Sequence, residues 1–355
     1  MDASVSGAEG PLNWDEALAA ASASKSSGLD AILDLAKSMQ SACPKLAQIL
    51  QSSAVKTSLE THKRQDKEAV LQEEKLKQEA FWSNLCLLAA GVTSGLILAV
   101  SANALEFVGV DVGAQKWLTL VLGLVTLGLG AAAAYFGYIA RDQGRIARWQ
   151  TCRSEAEVAR LGVFSTIASK AATAGPQIAC FGLAVVVRHL LDDQRLWLGL
   201  SVVKHRKSSE RTSQFSALAS ALAFIGGSGA IIASQTNGGG AIWIVLAGVL
   251  GAAIGAYAAN QEALNRDRAN AERYDKTLVA MDAIASRTDD VVNSVGAEPK
   301  ALEAFTKTIT DLLAAENQQW LDGTAQANAA LDKLDAQLTQ LNKPKTLEPP
   351  PAMHG

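Results

Sequence analysis

Few side chains in this 355-residue chain have the type and spacing to do chemistry. The four cysteines, Cys43, Cys86, Cys152 and Cys180, are scattered and form no Cys-x-x-Cys pair. That spacing argues against a zinc site and against a disulfide framework. His189 and His205 each stand alone, and a solvated surface position is the expectation for both. No Ser/His/Asp spacing, phosphate loop or nucleophile elbow is present. Gly128-x-Gly130 follows no strand and sits in an apolar run, so it is not part of a dinucleotide fingerprint. The charged side chains fall into surface pairs four residues apart, such as Glu60/Arg64 and Glu73/Lys77. The chain therefore reads as a non-enzyme, with no catalytic, cofactor-binding or metal residue and no cofactor. Its net charge of −3 implies no polyanionic partner and no nucleic acid.

The elements that carry these side chains are helices, and the charges are distributed unevenly among them. Thr212 to Gln261 holds no Asp, Glu, Lys or Arg. Its middle, Gln235-Thr-Asn-Gly-Gly-Gly240, is a turn signal. The flanking apolar segments, 215–234 and 241–259, each reach across a hydrocarbon core, which takes roughly 20 residues. A second uncharged pair lies at 81–105 and 117–140. The expected fold is all-α: a multi-pass membrane protein of two transmembrane helical hairpins with long cytoplasmic helical extensions. A soluble four-helix bundle is the competing reading. Transporters usually carry ionisable groups at membrane depth, and these spans hold almost none, which counts against a carrier. Asn84 and Asn103 sit at the ends of the first span, where interfacial solvation is expected.

Small residues four apart occur in three spans: Gly91-x-x-x-Gly95, Ala133-x-x-x-Gly137 and Gly251-x-x-x-Gly255. They let helix backbones approach closely, within one chain or between subunits. Eighteen basic residues flank the four spans on one side, and only Lys116 lies in the two tips, 106–116 and 235–240. This bias places both termini and the central connection in the cytoplasm of a cell (plasma or inner) membrane protein. Residues 1–13 lack the basic start and apolar run of a secretory signal, so the first span is expected to direct insertion. Within the central connection, Ala171–Val187 is uncharged. A buried or interfacial helix is favoured over a fifth span, because Pro176 interrupts it and its apolar core is only ten residues.

Four segments follow. Residues 1–56 hold a disordered start and two short helices separated at Pro44. Residues 57–184 and 185–322 each read as charged helix, membrane hairpin, charged helix. In the second, Leu302, Phe305, Ile309 and Leu312 share one face near its end. Residues 323–355 hold a short coiled-coil seam, Leu331, Leu334, Leu338 and Leu341, and a disordered Pro-rich tail.

Several short motifs resemble those of the SLATT family, two-transmembrane effector domains associated with nucleotide-signalling genes. They are Asp192-Asp-Gln-Arg-Leu-Trp-Leu followed by Lys204-His-Arg-Lys, then Leu302-Glu-Ala-Phe with Glu316-x-x-x-Trp320. Arg148-Trp-Gln-Thr-Cys-Arg153-Ser-Glu-Ala-Glu157 is similar to the helix that leaves a hairpin in that group. The resemblance covers roughly residues 60–322 and implies two such units in tandem. It further implies a membrane-embedded effector that oligomerises and forms a pore or disrupts the membrane in a nucleotide-signal-linked antiviral response. The expected partners are the lipid bilayer, further copies of the chain and a nucleotide-signalling protein. The alternative is a structural membrane scaffold whose cytoplasmic helices recruit partners without forming a pore.

Overall fold

The computed structural model describes residues 13–23, 29–101, 111–140, 143–233 and 241–341, some of them, including 227–233 and 323–341, by backbone alone. Every regular element among them is helical. Residues 1–12 of the expected disordered start, the tip at 235–240, residues 106–110 of the tip at 106–116, Asn103 and the tail lie outside the described residues.

Twelve helices follow in order among the described residues: α1 Trp14–Ser22, α2 Asp30–Ala42, α3 Pro44–Leu50, α4 Ser53–Ser101, α5 Val112–Ala140, α6 Gln143–Ala174, α7 Pro176–Val186, α8 Asp193–Ala233, α9 Ala241–Asn265, α10 Asp267–Ala285, α11 Thr288–Ala297 and α12 Ala301–Leu341. A π-helical segment, Val187–Asp192, joins α7 to α8 without a break. The boundary expected at 184/185 thus falls inside one helical run. Pro44 separates α2 from α3 as expected and takes the first helical position, where its missing N–H is not needed. Among the described residues the N-terminal segment holds three helices, α1, α2 and α3, rather than two.

The centre of the molecule is α7. Gly175 at φ 121° supplies a backbone angle that side chains disfavour, and Pro176 then starts the helix. All nine residues from Ile178 to Val186 are buried. The uncharged stretch at 171–187 therefore takes the buried alternative, in a core to which α1, α2, α3, α6, α11 and α12 contribute, together with single positions or pairs on α4, α8 and α10. Phe164 and Ile167 of α6, Leu35 and Met39 of α2 and Leu302 of α12 belong to that core. We call this the head. The face expected on α12 is the one that packs: Leu302, Phe305 and Ile309 are buried, with Leu312 partly so.

The long helices leave this head. α4 runs 49 residues, about 74 Å at 1.5 Å per residue. α4 and α5 hold stretches long and apolar enough to cross a membrane. In α9 the apolar stretch is shorter, Leu246–Ala259. α4 packs on α5, α8 packs on α9, and α4 also packs on α9. The small residues make these contacts within the chain. A Cβ on Gly91 would lie 2.8 Å from Ala253 Cβ, and one on Gly226 would lie 2.1 Å from Gly248 Cα, so only glycine permits that crossing. Gly251 meets the α8 backbone at Ala219 and Ala223, and Gly137 meets Ser83. Between α4 and α5, Thr126 donates to Thr93 at 2.8 Å and Ser83 to the Ala133 carbonyl at 3.0 Å.

Head and hairpin glycines should respond differently to a side chain. Gly182 on α7 has Ala171 Cβ 2.7 Å and Leu302 Cδ2 3.1 Å from where a Cβ would stand, whereas Gly123 on α5 has open space. Gly182→Val is expected to cost about 1–3 kcal/mol by overpacking. Gly123→Val should leave the stability of the head unchanged. Chemical unfolding in detergent, followed by near-UV circular dichroism, checks both.

Candidate functional site

Between the head and the apolar segments lies a band of charged and aromatic side chains on α4, α6, α8, α10 and α12. Two antiparallel ladders make up its sides. On one, Arg145, Arg148 and Arg153 of α6 pair with Glu79, Glu68 and Asp66 of α4 at 2.6, 3.0 and 3.1 Å. Gln65 donates to Glu155 on the same ladder at 2.6 Å, and the His62 ring bonds the Ala156 carbonyl at 2.9 Å. On the other, Arg195 and Arg206 of α8 pair with Asp282 and Asp275 of α10 at 2.6 and 3.1 Å. The polarity is reversed between them: acids lie on the outgoing helix of the first pair and on the returning helix of the second. Half-exposed pairs of this kind contribute about 0–1 kcal/mol each. Their role is to fix register and partner rather than to supply stability.

The two ladders are tied together through the dipeptide Arg273-Tyr274 on α10. Arg273 Nε donates to Glu316 of α12 at 2.9 Å, and both side chains are largely buried. The same guanidinium lies 4.9 Å from the Tyr274 ring centre. That ring meets Trp197 edge-on at 5.2 Å and His205 at 5.6 Å, both on α8. One turn beyond Glu316, Trp320 meets Trp149 of α6 edge-on at 5.0 Å. Burial pushes the Glu316 carboxyl above its usual range; Arg273 opposes the shift and Glu157 reinforces it. Glu157 also feels burial most, but Arg160, Arg153 and His62 outweigh it and hold this carboxyl below its usual range. Burial raises the Tyr274 hydroxyl.

Several of the residues that carry the family resemblance meet in this band, whereas Leu302 and Phe305 lie in the core of the head. Arg148, Trp149, Arg153 and Glu157 come from α6, and Glu316 and Trp320 from α12. Arg273, Tyr274 and Asp267 also belong to it and carried no signal in the sequence. Arg273 and Glu316 are 43 residues apart, and nothing local marks either as buried.

Asp267, the first residue of α10, is 4% exposed. Its two oxygens accept from His205 Nδ1 at 2.6 Å and from Ser208 Oγ, both on α8. Serine, histidine and aspartate thus come together, but in an order that does no nucleophilic chemistry. A triad needs histidine between the other two, whereas here both donors bind the same carboxylate. The arrangement is a clamp. Immediately before it, Arg266 has φ 49° and ψ 38°, the only positive φ outside glycine among the described residues. The charged helix expected after the second hairpin is therefore separated from α9 by a bend at Arg266. A side chain in this left-handed region costs about 1–2 kcal/mol.

Three surface expectations are corrected. His189 is buried in the π-helical segment, where its Nε2–H donates to the Ala21 carbonyl at 3.0 Å. His205 is held by Asp267. Asn84 is 4% exposed rather than solvated at an interface. All four cysteines are free, and no group of three or more metal-ligating side chains occurs among the described residues.

Two outcomes follow. Burial lowers the pKa of His189, so below about pH 6.5 the unfolded chain takes up a proton that the folded head resists. Stability should fall as pH drops through that value, and His189→Gln should flatten this part of a stability–pH profile. Arg273→Ala should cost about 3–5 kcal/mol by leaving the Glu316 charge buried alone, and adding Glu316→Gln should recover part of it in denaturant unfolding. Comparison with known proteins finds no matching family model, curated protein or solved structure, so the roles given to these residues rest on their geometry.

Proposed function

We propose that this chain is a membrane-embedded effector with two hairpins in the bilayer and the head in the cytoplasm. It would oligomerise and permeabilise the membrane. The observation that carries the reading is a contrast in burial. The head buries α7 from Ile178 to Val186, yet α5 presents Leu120, Leu124 and Leu127 outward, at 53%, 64% and 72% exposure. A soluble fold that can bury one such helix has no reason to leave another in water. Lipid tails are the solvent such a surface fits. Trp117 and Tyr138, exposed near the two ends of α5, suit the headgroup level.

In this reading the second hairpin, 215–234 with 241–259, lies beside the first through the Gly91–Ala253 contact. The excess of basic residues on the head side supports cytoplasmic termini. A pore would be lined by several copies, since the polar side chains Ser83, Thr93 and Thr126 are spent on bonds within one hairpin. The resemblance to SLATT domains supports a trigger that is a cytoplasmic nucleotide signal, or a partner protein that senses one. A second reading, a scaffold without a pore, is favoured by α12 alone. That helix runs on to Leu341, well past Leu313, the last buried residue among those with described side chains, and its sequence holds the leucine seam at 331–341.

Release of a trapped dye from liposomes separates the two. An effector releases dye with a steep dependence on the protein-to-lipid ratio, while Gly91→Leu, which forces α4 from α9, changes that dependence. Inserted protein that releases no dye at any ratio contradicts the pore and leaves the scaffold.

A further inference from the structure

We infer that Arg266 is a two-state hinge between α9 and α10, held bent by the clamp on Asp267. When the clamp opens, the two helices become one.

The backbone itself is the first observation. A helix that ends on a left-handed residue ordinarily places glycine or asparagine there. Arginine at that position persists only where the surroundings over-determine it, and such residues concentrate at switch regions. The hydrogen-bond ladder is otherwise ready for a continuous helix. The Arg266 N–H already reaches the Glu262 carbonyl at 2.8 Å, and the Asn270 N–H reaches the Arg266 carbonyl at 2.9 Å. Rotation at one residue would bring the N–H groups of 267, 268 and 269 to the carbonyls four residues earlier.

The bend is held by side chains on both sides. Locally, Asn270 Nδ2 donates to the Asn265 carbonyl at 2.9 Å, and Glu262 accepts from the Arg268 N–H at 3.3 Å. Across the interface, His205 and Ser208 hold buried Asp267 against α8. The local pair only covers the exposed ends that the bend creates. The Asp267 clamp holds the first residue of α10 against α8, next to the bend, while the Arg206–Asp275 and Arg195–Asp282 pairs hold α10 farther along.

The third observation is position. The outgoing helices, α4 and the run from α7 through α8, pass unbroken from the head into the apolar segments. The return path breaks at Arg266, between the apolar stretch of α9 and the part of α10 that carries Arg273 and Tyr274. Straightening there would swing α10, and Arg273 would carry Glu316 and α12 with it. A change at one end would thus reach the other through a single residue. The hinge stands on backbone geometry and not on the membrane reading, so the two fail separately.

The test is a distance. Spin labels introduced as unnatural amino acids at Ala259 and Lys276, both exposed, report across the bend in the full chain in detergent by pulsed electron resonance. The 17 residues between them span about 26 Å when straight. The unaltered chain should show a single shorter distance. Asp267→Ala should add a population near 26 Å, and Arg266→Gly in that background should return the short distance, since glycine removes the strain. An unchanged distance in Asp267→Ala, or a double variant that stays long, overturns the hinge. If Asp267→Ala only unfolds the chain, Arg266→Gly alone decides. A raised Tm supports a strained residue, and an unchanged or lowered Tm overturns it.

Discussion

Where apolar surface can go is the constraint on which this structure depends. The chain makes several uncharged helices and treats them in two ways. α7 is packed among other helices, and its nine residues from Ile178 to Val186 are all buried. α5 is covered on one side only, by α4. In the function proposed above these are two solvents, the protein interior for α7 and lipid for α5. The head accordingly packs large side chains such as Phe164, Met39 and Leu183, while the hairpins pack glycine on glycine and glycine on alanine. Lipid removes the hydrophobic drive between helices, so close backbone approach and shared hydroxyl bonds remain.

The band between these regions has the opposite character. It is built from charges that neither solvent would hold alone, and they are matched across helices. The reversed polarity of the two ladders gives each outgoing helix a partner of the wrong sign in the other unit, which would discourage exchange. Arg273 sits where the ladders converge and touches Glu316 and Tyr274. A head that senses a signal would reach the hairpins through this band, since α4, α6, α8 and α10 all pass through it.

Much of this was legible in the chain before any coordinates. The charge-free runs mark the apolar helices because a missing charge over twenty residues is a strong, local signal. The helical spacing of Leu302, Phe305 and Ile309 marks the buried face of α12, and Pro44 marks a helix start. Ala171–Val187 was legible as a buried or interfacial helix, but its place at the centre of the head was not, because the core residues around it come from segments far away in the chain. His189 and His205 looked solitary for a related reason. Their partners, the Ala21 carbonyl and Asp267, lie 168 and 62 residues away. The bend at Arg266 had no signal at all, since the residue that adopts the left-handed angle is one that normally avoids it. Tertiary contacts, not propensity, set that angle.

The account rests on lipid as the solvent of α5, and residue-by-residue accessibility tests this most directly. Spin labels at Leu124 and Leu127 in bilayers should relax strongly with oxygen, which partitions into hydrocarbon, and weakly with a water-soluble nickel chelate. A label at Val279, an exposed position on α10 in the head, should show the reverse. Strong relaxation by the nickel chelate at both leucines, in protein recovered with the membrane fraction, would contradict it.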